Sequence, residues 1–235
     1  MGKTGKTITS EGEYSLRTKV IALVLFMLVV AATVGIVYKV KSDEKDAEYQ
    51  LAEKPVFFIH VPKTGGISVK ESIPDEWYHG HTAVKDMPGI EDHYKFTVVR
   101  NPWDRTVSAY NFLKKGGLGG SDIEDAARMK LEEISFEEFL RDLPQNSKWQ
   151  QHLRPQVFWM RDSNGVNKAD FVAKMESLDA DWKKLSKKLG LKQKKLPHSN
   201  KSRSDDYRNW YQNAEMKDIV ADVYRDDIAE FGYEF

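Results

Sequence analysis

The chain has 235 residues, with 36 basic and 36 acidic side chains, so its formal net charge is zero. That balance excludes the basic excess on which a general nucleic-acid binder depends. With no cysteine in the sequence, disulfides, zinc–thiolate sites and thiol nucleophiles are excluded as well.

Residues 1–19 are polar and rich in Gly and Thr, and read as a tail. From Val20 to Tyr38 the stretch VIALVLFMLVVAATVGIVY carries no charge. At about 1.5 Å per residue it spans a hydrocarbon core of roughly 30 Å. It is longer than the core of a usual signal peptide, and no small-x-small cleavage site follows it. The expectation is therefore one transmembrane anchor over 20–38. Lys3, Lys6, Arg17 and Lys19 precede it and Lys39, Lys41, Lys45 and Lys54 follow it, so charge leaves its orientation open. Residues 39–54, KVKSDEKDAEYQLAEK, read as a charged stem, and 55–235 as one domain.

Within that domain PVFFIHV (55–61) is a buried-strand run, and 66–73 reads as a helix stopped by Pro74. KFTVV (95–99) is a second strand, ending at Arg100-Asn101-Pro102, with helical periodicity following to about Lys115. GGLGGS (116–121) reads as a flexible breaker. Ser135 and Glu138 form a capping box for a helix expected to end before Pro144. ADFVAKM (169–175) is a third strand, and DADWKKLSKKLG (179–190) a helix stopped by Gly190. AEMKDIVADVYRDDIAEFG reads as one last helix, with Ile219, Val220, Val223, Tyr224, Ile228 and Phe231 on one face. Alternating strands and helices predict an α/β domain with a mainly parallel central sheet flanked by helices.

The chemistry concentrates at two strand-to-helix junctions, HVPKTGG (60–66) and VVRNPWDRTVSAY (98–110). In a parallel sheet such junctions lie at the carboxyl ends of strands, where ligands bind. Backbone N–H groups there favour an anion. Lys63, Thr64 and Ser68 add a cation and hydroxyls at the first junction, and Arg100 and Ser108 do so at the second. Two such sites suit a ligand with two phosphate-like groups. Lys63 precedes its glycines, the reverse of a Walker A loop, and no apolar strand ends in Asp. Both features argue against a magnesium-dependent ATP or GTP enzyme.

FIHVPKTGGISV followed by FTVVRNPWDRTVSAY resembles the paired signatures of sulfotransferases that use 3′-phosphoadenosine 5′-phosphosulfate (PAPS). The resemblance is closest to the carbohydrate-type (sulfotransferase family 2-like) group. It continues through HLRPQ (152–156), ADFVAKMESLDADW (169–182), LPHSNKS (196–202) and the terminal FGYEF. It implies a P-loop-like sulfotransferase domain behind a membrane anchor, a carbohydrate hydroxyl as acceptor, and no metal. In a eukaryote it further implies a type II protein facing the Golgi lumen.

Residue by residue, the resemblance assigns the 5′-phosphosulfate to Lys63, Thr64, Gly65, Gly66, Ile67 and Ser68. Lys63 also stabilises the leaving oxygen. The 3′-phosphate falls to Arg100 and Ser108, and a loop closing over the donor contributes Lys201, Arg203 and Tyr207. Ile67 stands where the family usually has threonine, which removes a hydroxyl and leaves a backbone N–H. A base must take the acceptor's proton, and YHGHTAVKDM offers His79 and His81, of which His81 matches the family pattern better. His152 and Arg154 are candidates for an anionic acceptor sugar. His60 and Glu176 are expected to be structural, and Trp103, Tyr110 and Phe112 to be core. The competing readings are a P-loop-like kinase and a non-catalytic nucleotide- or sulfated-glycan-binding membrane protein. Oligomeric state is open.

Overall fold

A computed structural model describes residues 16–52, 54–192, 195–197 and 205–235. The chain divides into an N-terminal unit ending at Gln50 and a second unit, Leu51–Phe235. In the first, helix α1 (Leu16–Ala52) includes a stretch, Leu23–Lys41, that is long and apolar enough to cross a membrane. The expected stem does not begin as a linker: helical hydrogen bonding runs on to Ala52, through residues that are mostly good helix formers.

The second unit is built on a parallel sheet of β1 (Val56–Ile59), β2 (Tyr94–Val99) and β3 (Phe171–Lys174), in the order β1-β2-β3. Phe58 pairs in register with Phe96, and Phe96 with Phe171. The Phe58 and Phe96 rings stack at 5.0 Å. The continuous apolar strand runs follow from burial on both faces. Phe57 and Ile59 enter a large core with Val107, Leu113, Leu140 and Tyr224. Val56 and Phe58 enter a smaller one with Val98, Val69 and Trp182. Lys95, on β2, is buried yet satisfied: its ammonium donates to the carbonyls of Ile90, Glu91 and His93 and lies 3.6 Å from Asp170.

After β1 comes the short α2 (Gly66–Lys70), ending earlier than expected, and after β2 comes α3 (Pro102–Lys114). Proline supplies the pre-set first turn of α3, and Asn101 caps it by accepting from the Trp103 N–H at 3.1 Å. The GGLGGS segment is not a featureless breaker. It forms hydrogen-bonded turns on positive-φ glycines and leads into α4 (Ser121–Arg128), which the sequence pattern does not announce.

Helix α5 (Phe136–Asn146) opens with both bonds of the expected capping box, but it does not stop before Pro144. Proline removes one donor close to the helix end, yet the helix runs on to Asn146, with the Ser147 N–H on the Leu143 carbonyl at 2.9 Å. Next come α6 (Val157–Met160), β3 and α7 (Leu178–Lys188), with Gly190 in the left-handed region. The single last helix becomes two, α8 (Ala214–Val223) and α9 (Arg225–Phe231). The break at Tyr224 follows from tertiary contacts. The Tyr224 hydroxyl donates to the Leu153 carbonyl at 2.7 Å, and the buried Asp227 carboxylate accepts from the N–H groups of Gln156 and Val157.

Candidate functional site

The loop between β1 and α2 is shaped by two left-handed residues, Lys63 at φ 68° and Gly65 at φ 80°. Pro62 and Lys63 form a turn that brings the Thr64 N–H back toward the Val61 carbonyl, whereas among the described residues the N–H groups of Lys63, Gly65, Gly66 and Ile67 meet no backbone acceptor, and the ladder begins with Ser68 donating to Gly65. Alternating backbone hands turn successive N–H groups toward one point, a nest for an anion. Thr64 is fully buried and its hydroxyl donates to the Val61 carbonyl at 2.9 Å, so that hydroxyl is already engaged within the loop. Ile67 is 41% exposed. Its side chain is not needed for packing, and its N–H is the group left for a ligand.

Among the described residues Lys63 is within ion-pair distance of no carboxylate. Its ammonium lies over the Phe112 ring, 3.5 Å from the centroid. Phe112 is therefore only partly core and also the seat of the lysine, a correction to the sequence expectation. Trp103 and Tyr110 are core as expected. Burial, then the nearby Arg100 charge, lower the Lys63 pKa to about 8, against an opposing pull from Asp122.

At the second junction Arg100 is held from several sides. Its Nε donates to Asp104 at 2.8 Å and an Nη to the Lys63 carbonyl at 3.2 Å, which ties the two loops together. The Gln156 amide accepts from the Arg100 N–H and donates to its carbonyl, both at 2.9 Å. Glu176 accepts from the Asn101 N–H at 2.6 Å and from the Tyr233 hydroxyl at 3.1 Å, the structural role expected of it. Ser108 is buried on the helix face it shares, at four-residue spacing, with Asp104 and Phe112. It thus stands between Arg100 and Lys63. Arg105 is buried behind this face and donates to the carbonyls of His152 and Arg154.

His60, His81 and His152 pack against one another, with His81 centroids 4.2 Å from His60 and 6.0 Å from His152. The His60 ring is buried under Gly66 with Nδ1 3.2 Å from the Tyr78 hydroxyl, and burial above all lowers its pKa to about 3. It is structural, as expected. His81 donates Nδ1–H to the His60 carbonyl at 2.8 Å, which leaves Nε2 of the neutral ring as an acceptor. Burial lowers its pKa, partly offset by that bond. His79 is exposed and stacks 5.5 Å from Phe57.

His152 does not face outward as an acceptor contact would. It is buried, with Nε2 3.1 Å from Asp122 and Nδ1 unpartnered, and burial brings its pKa to about 4. Arg154 stays half-exposed, its guanidinium 4.3 Å from the Phe158 centroid, with the Lys85 ammonium at 4.3 Å from the same ring. Tyr207 is packed against Phe235 with its hydroxyl buried and unpartnered. Lys201 and Arg203 lie outside the described residues. Among the described residues no group of three or more His, Cys, Asp or Glu is arranged to hold a metal ion.

Asp122, Gln156 and Arg105 are the site residues that sequence reasoning missed. Gln156 and Arg105 carried a signal, as members of the HLRPQ and VVRNPWDRTVSAY stretches; Asp122 carried none.

The contact between Gly66 and His60 makes a direct prediction. A Cβ at Gly66 would lie 2.0 Å from His60 Nε2, so Gly66→Ala must push the ring aside or shift the loop. Chemical denaturation should show a loss of about 1–3 kcal/mol. Because His81 is bonded to the His60 carbonyl, the displacement should reach His81 as well. A variant with an unchanged midpoint would refute the packing.

A model of the Sulfotransferase family matches residues 76–234, more than half of the chain. The match takes in the second junction, the candidate histidines and the C-terminal helices, and begins after the Lys63 loop. Comparisons with curated proteins and with solved structures return no match. By the family match the chain belongs to the sulfotransferase family.

Proposed function

We propose that this sulfotransferase moves the sulfuryl group of PAPS onto a carbohydrate hydroxyl, with His81 as the base. The observation that carries the reading is the Lys63 loop: among the described residues the N–H groups of Lys63, Gly65, Gly66 and Ile67 meet no backbone acceptor, and the ammonium beside them meets no carboxylate. Such a loop fits an anion, and family membership makes a phosphosulfate the expected one. The 5′-phosphosulfate lies on the N–H groups of Lys63, Gly65, Gly66 and Ile67 and on the Lys63 ammonium. The 3′-phosphate meets the remaining edge of Arg100 and Ser108. The acceptor oxygen attacks sulfur in line as the bridging sulfur–oxygen bond breaks. His81 Nε2 takes the acceptor proton, and Lys63 stabilises the charge left on the bisphosphate.

Arg154 and Lys85, both on Phe158, offer cations to an anionic sugar, and the Trp159 ring, 5.2 Å from Phe158 and 5.9 Å from His81, links them to the base. Helix α1 serves as a signal anchor, and in a eukaryote the resemblance to carbohydrate-type enzymes supports a type II orientation with the domain in the Golgi lumen.

Calorimetric titration of the full chain in detergent tests the donor site. Adenosine 3′,5′-bisphosphate should bind without metal, and Arg100→Ala should weaken binding about tenfold or more, the loss of a charge-assisted contact. Binding of ATP with magnesium, and none of the bisphosphate, would overturn the reading.

A further inference from the structure

The GGLGGS turn carries a carboxylate to the back of the site. Asp122 is only 5% exposed, and one of its oxygens accepts the Leu118 N–H at 2.9 Å while the other lies 3.1 Å from His152 Nε2. Its seat is close: a Cβ on Gly117 would come within 2.3 Å of the Asp122 carboxylate. The His152 ring packs edge-on against Phe112 at 4.9 Å, and Phe112 also carries the Lys63 ammonium, 3.5 Å from its centroid. A buried carboxylate, an imidazole, a phenyl ring and the lysine thus form one packed column.

We propose that Asp122 is a positioning residue of the transfer reaction, holding His152 under Phe112 and His81 and keeping Lys63 a cation. The proposal rests on the PAPS reading of the site. Lys63 is faced by Arg100 from the end of β2, which opposes its charge, and by Asp122 from α4, which supports it. His81 likewise has Lys63 against its protonation and Asp122 in favour. On α4 itself Asp125 accepts from the Gln150 amide, and Arg128 packs on Trp149. Arg100 is already matched by Asp104, and Asp122 is the carboxylate that acts on Lys63, His81 and His152 together. Burial without it would favour the neutral amine, which cannot stabilise the leaving oxygen.

The experiment is an NMR titration of the full chain in detergent, with labelled lysine and histidine side chains. Lys63 should titrate near pH 8 in the wild type. Asp122→Asn should lower that midpoint by about one pH unit, and the alkaline limb of kcat/KM should move down with it. His152→Gln removes the imidazole but keeps the carboxylate, and should leave the Lys63 midpoint in place. Should Asp122→Asn fail to fold, Asp122→Ser takes its place, with a hydroxyl for the Leu118 N–H in less volume. An unmoved Lys63 midpoint in the folded Asp122 variant would overturn the proposal. So would an equal shift in His152→Gln, since a collapse of packing would then be the cause. If the wild-type chain binds no bisphosphate, the PAPS reading fails by itself, and the lysine titration still reports what Asp122 does.

Discussion

Lys63→Ala lowers kcat/KM for sulfuryl transfer by about 10²–10³-fold, the scale of losing one donor aimed at developing charge. The ammonium lies over Phe112 and, among the described residues, is not neutralised by a carboxylate contact, so its charge is available to the leaving oxygen. Stability should change little, and a second substitution separates the two effects. Lys63 holds φ at 68°, a region that costs a residue with a Cβ about 1–2 kcal/mol. Lys63→Gly removes both the ammonium and that strain, and should melt at a higher temperature than Lys63→Ala while being no more active. Turnover close to wild type in a folded Lys63→Ala protein would sink the donor site. The same lysine sets the alkaline limit of the reaction. Activity requires the protonated form, so kcat/KM for the donor should fall as pH rises through about 8.

His81→Ala should lower kcat by about 10²–10⁴-fold, the range for a positioned base. Bisphosphate affinity, measured by the same calorimetry, should stay within about twofold, because the ring acts on the acceptor's proton and not on the donor. Geometry supports this choice over His79. The bond from Nδ1–H to the His60 carbonyl fixes the tautomer and leaves Nε2 basic, whereas His79 is exposed and stacked on Phe57. Burial lowers the His81 pKa from 6.5, so the acid limb of kcat/KM should lie below pH 6.5. Together with Lys63 this gives a bell open around neutral pH. A His79→Ala variant that loses turnover while His81→Ala keeps it would reassign the base.

The elements legible in the sequence are those whose cause is local. Ser135 and Glu138 satisfy each other's neighbouring N–H groups within one turn, so the capping box reads directly. Asn101 and Pro102 start α3 for equally short-range reasons. The apolar stretch at the N-terminus needs only its own length and composition to qualify as a membrane-crossing helix. The Lys63 loop was likewise legible as a strand-to-helix junction, since the glycines, the lysine and the strand before them are contiguous.

The errors share one cause. Pro144 and Tyr224 were judged by local propensity, but the helix survives the proline near its end, and Tyr224 breaks one where the sequence pattern continues. What bends the chain at Tyr224 is its hydroxyl on Leu153 and Asp227 on the Gln156–Val157 backbone, partners about 70 residues away. His152, read as an acceptor contact, is drawn inward by Asp122.

The sequence alone determined the alternation of strands and helices, the two junctions at strand ends, and which residue types stand there. These depend on hydrophobic periodicity, on proline and glycine backbone limits, and on N–H groups left over where helices begin. Tertiary structure alone decided that His81 is bonded to the His60 carbonyl, that Phe112 seats Lys63, and that Asp122 meets His152. Each of those depends on side chains far apart in the chain meeting out of water, where burial makes a charge costly and a single carboxylate decisive.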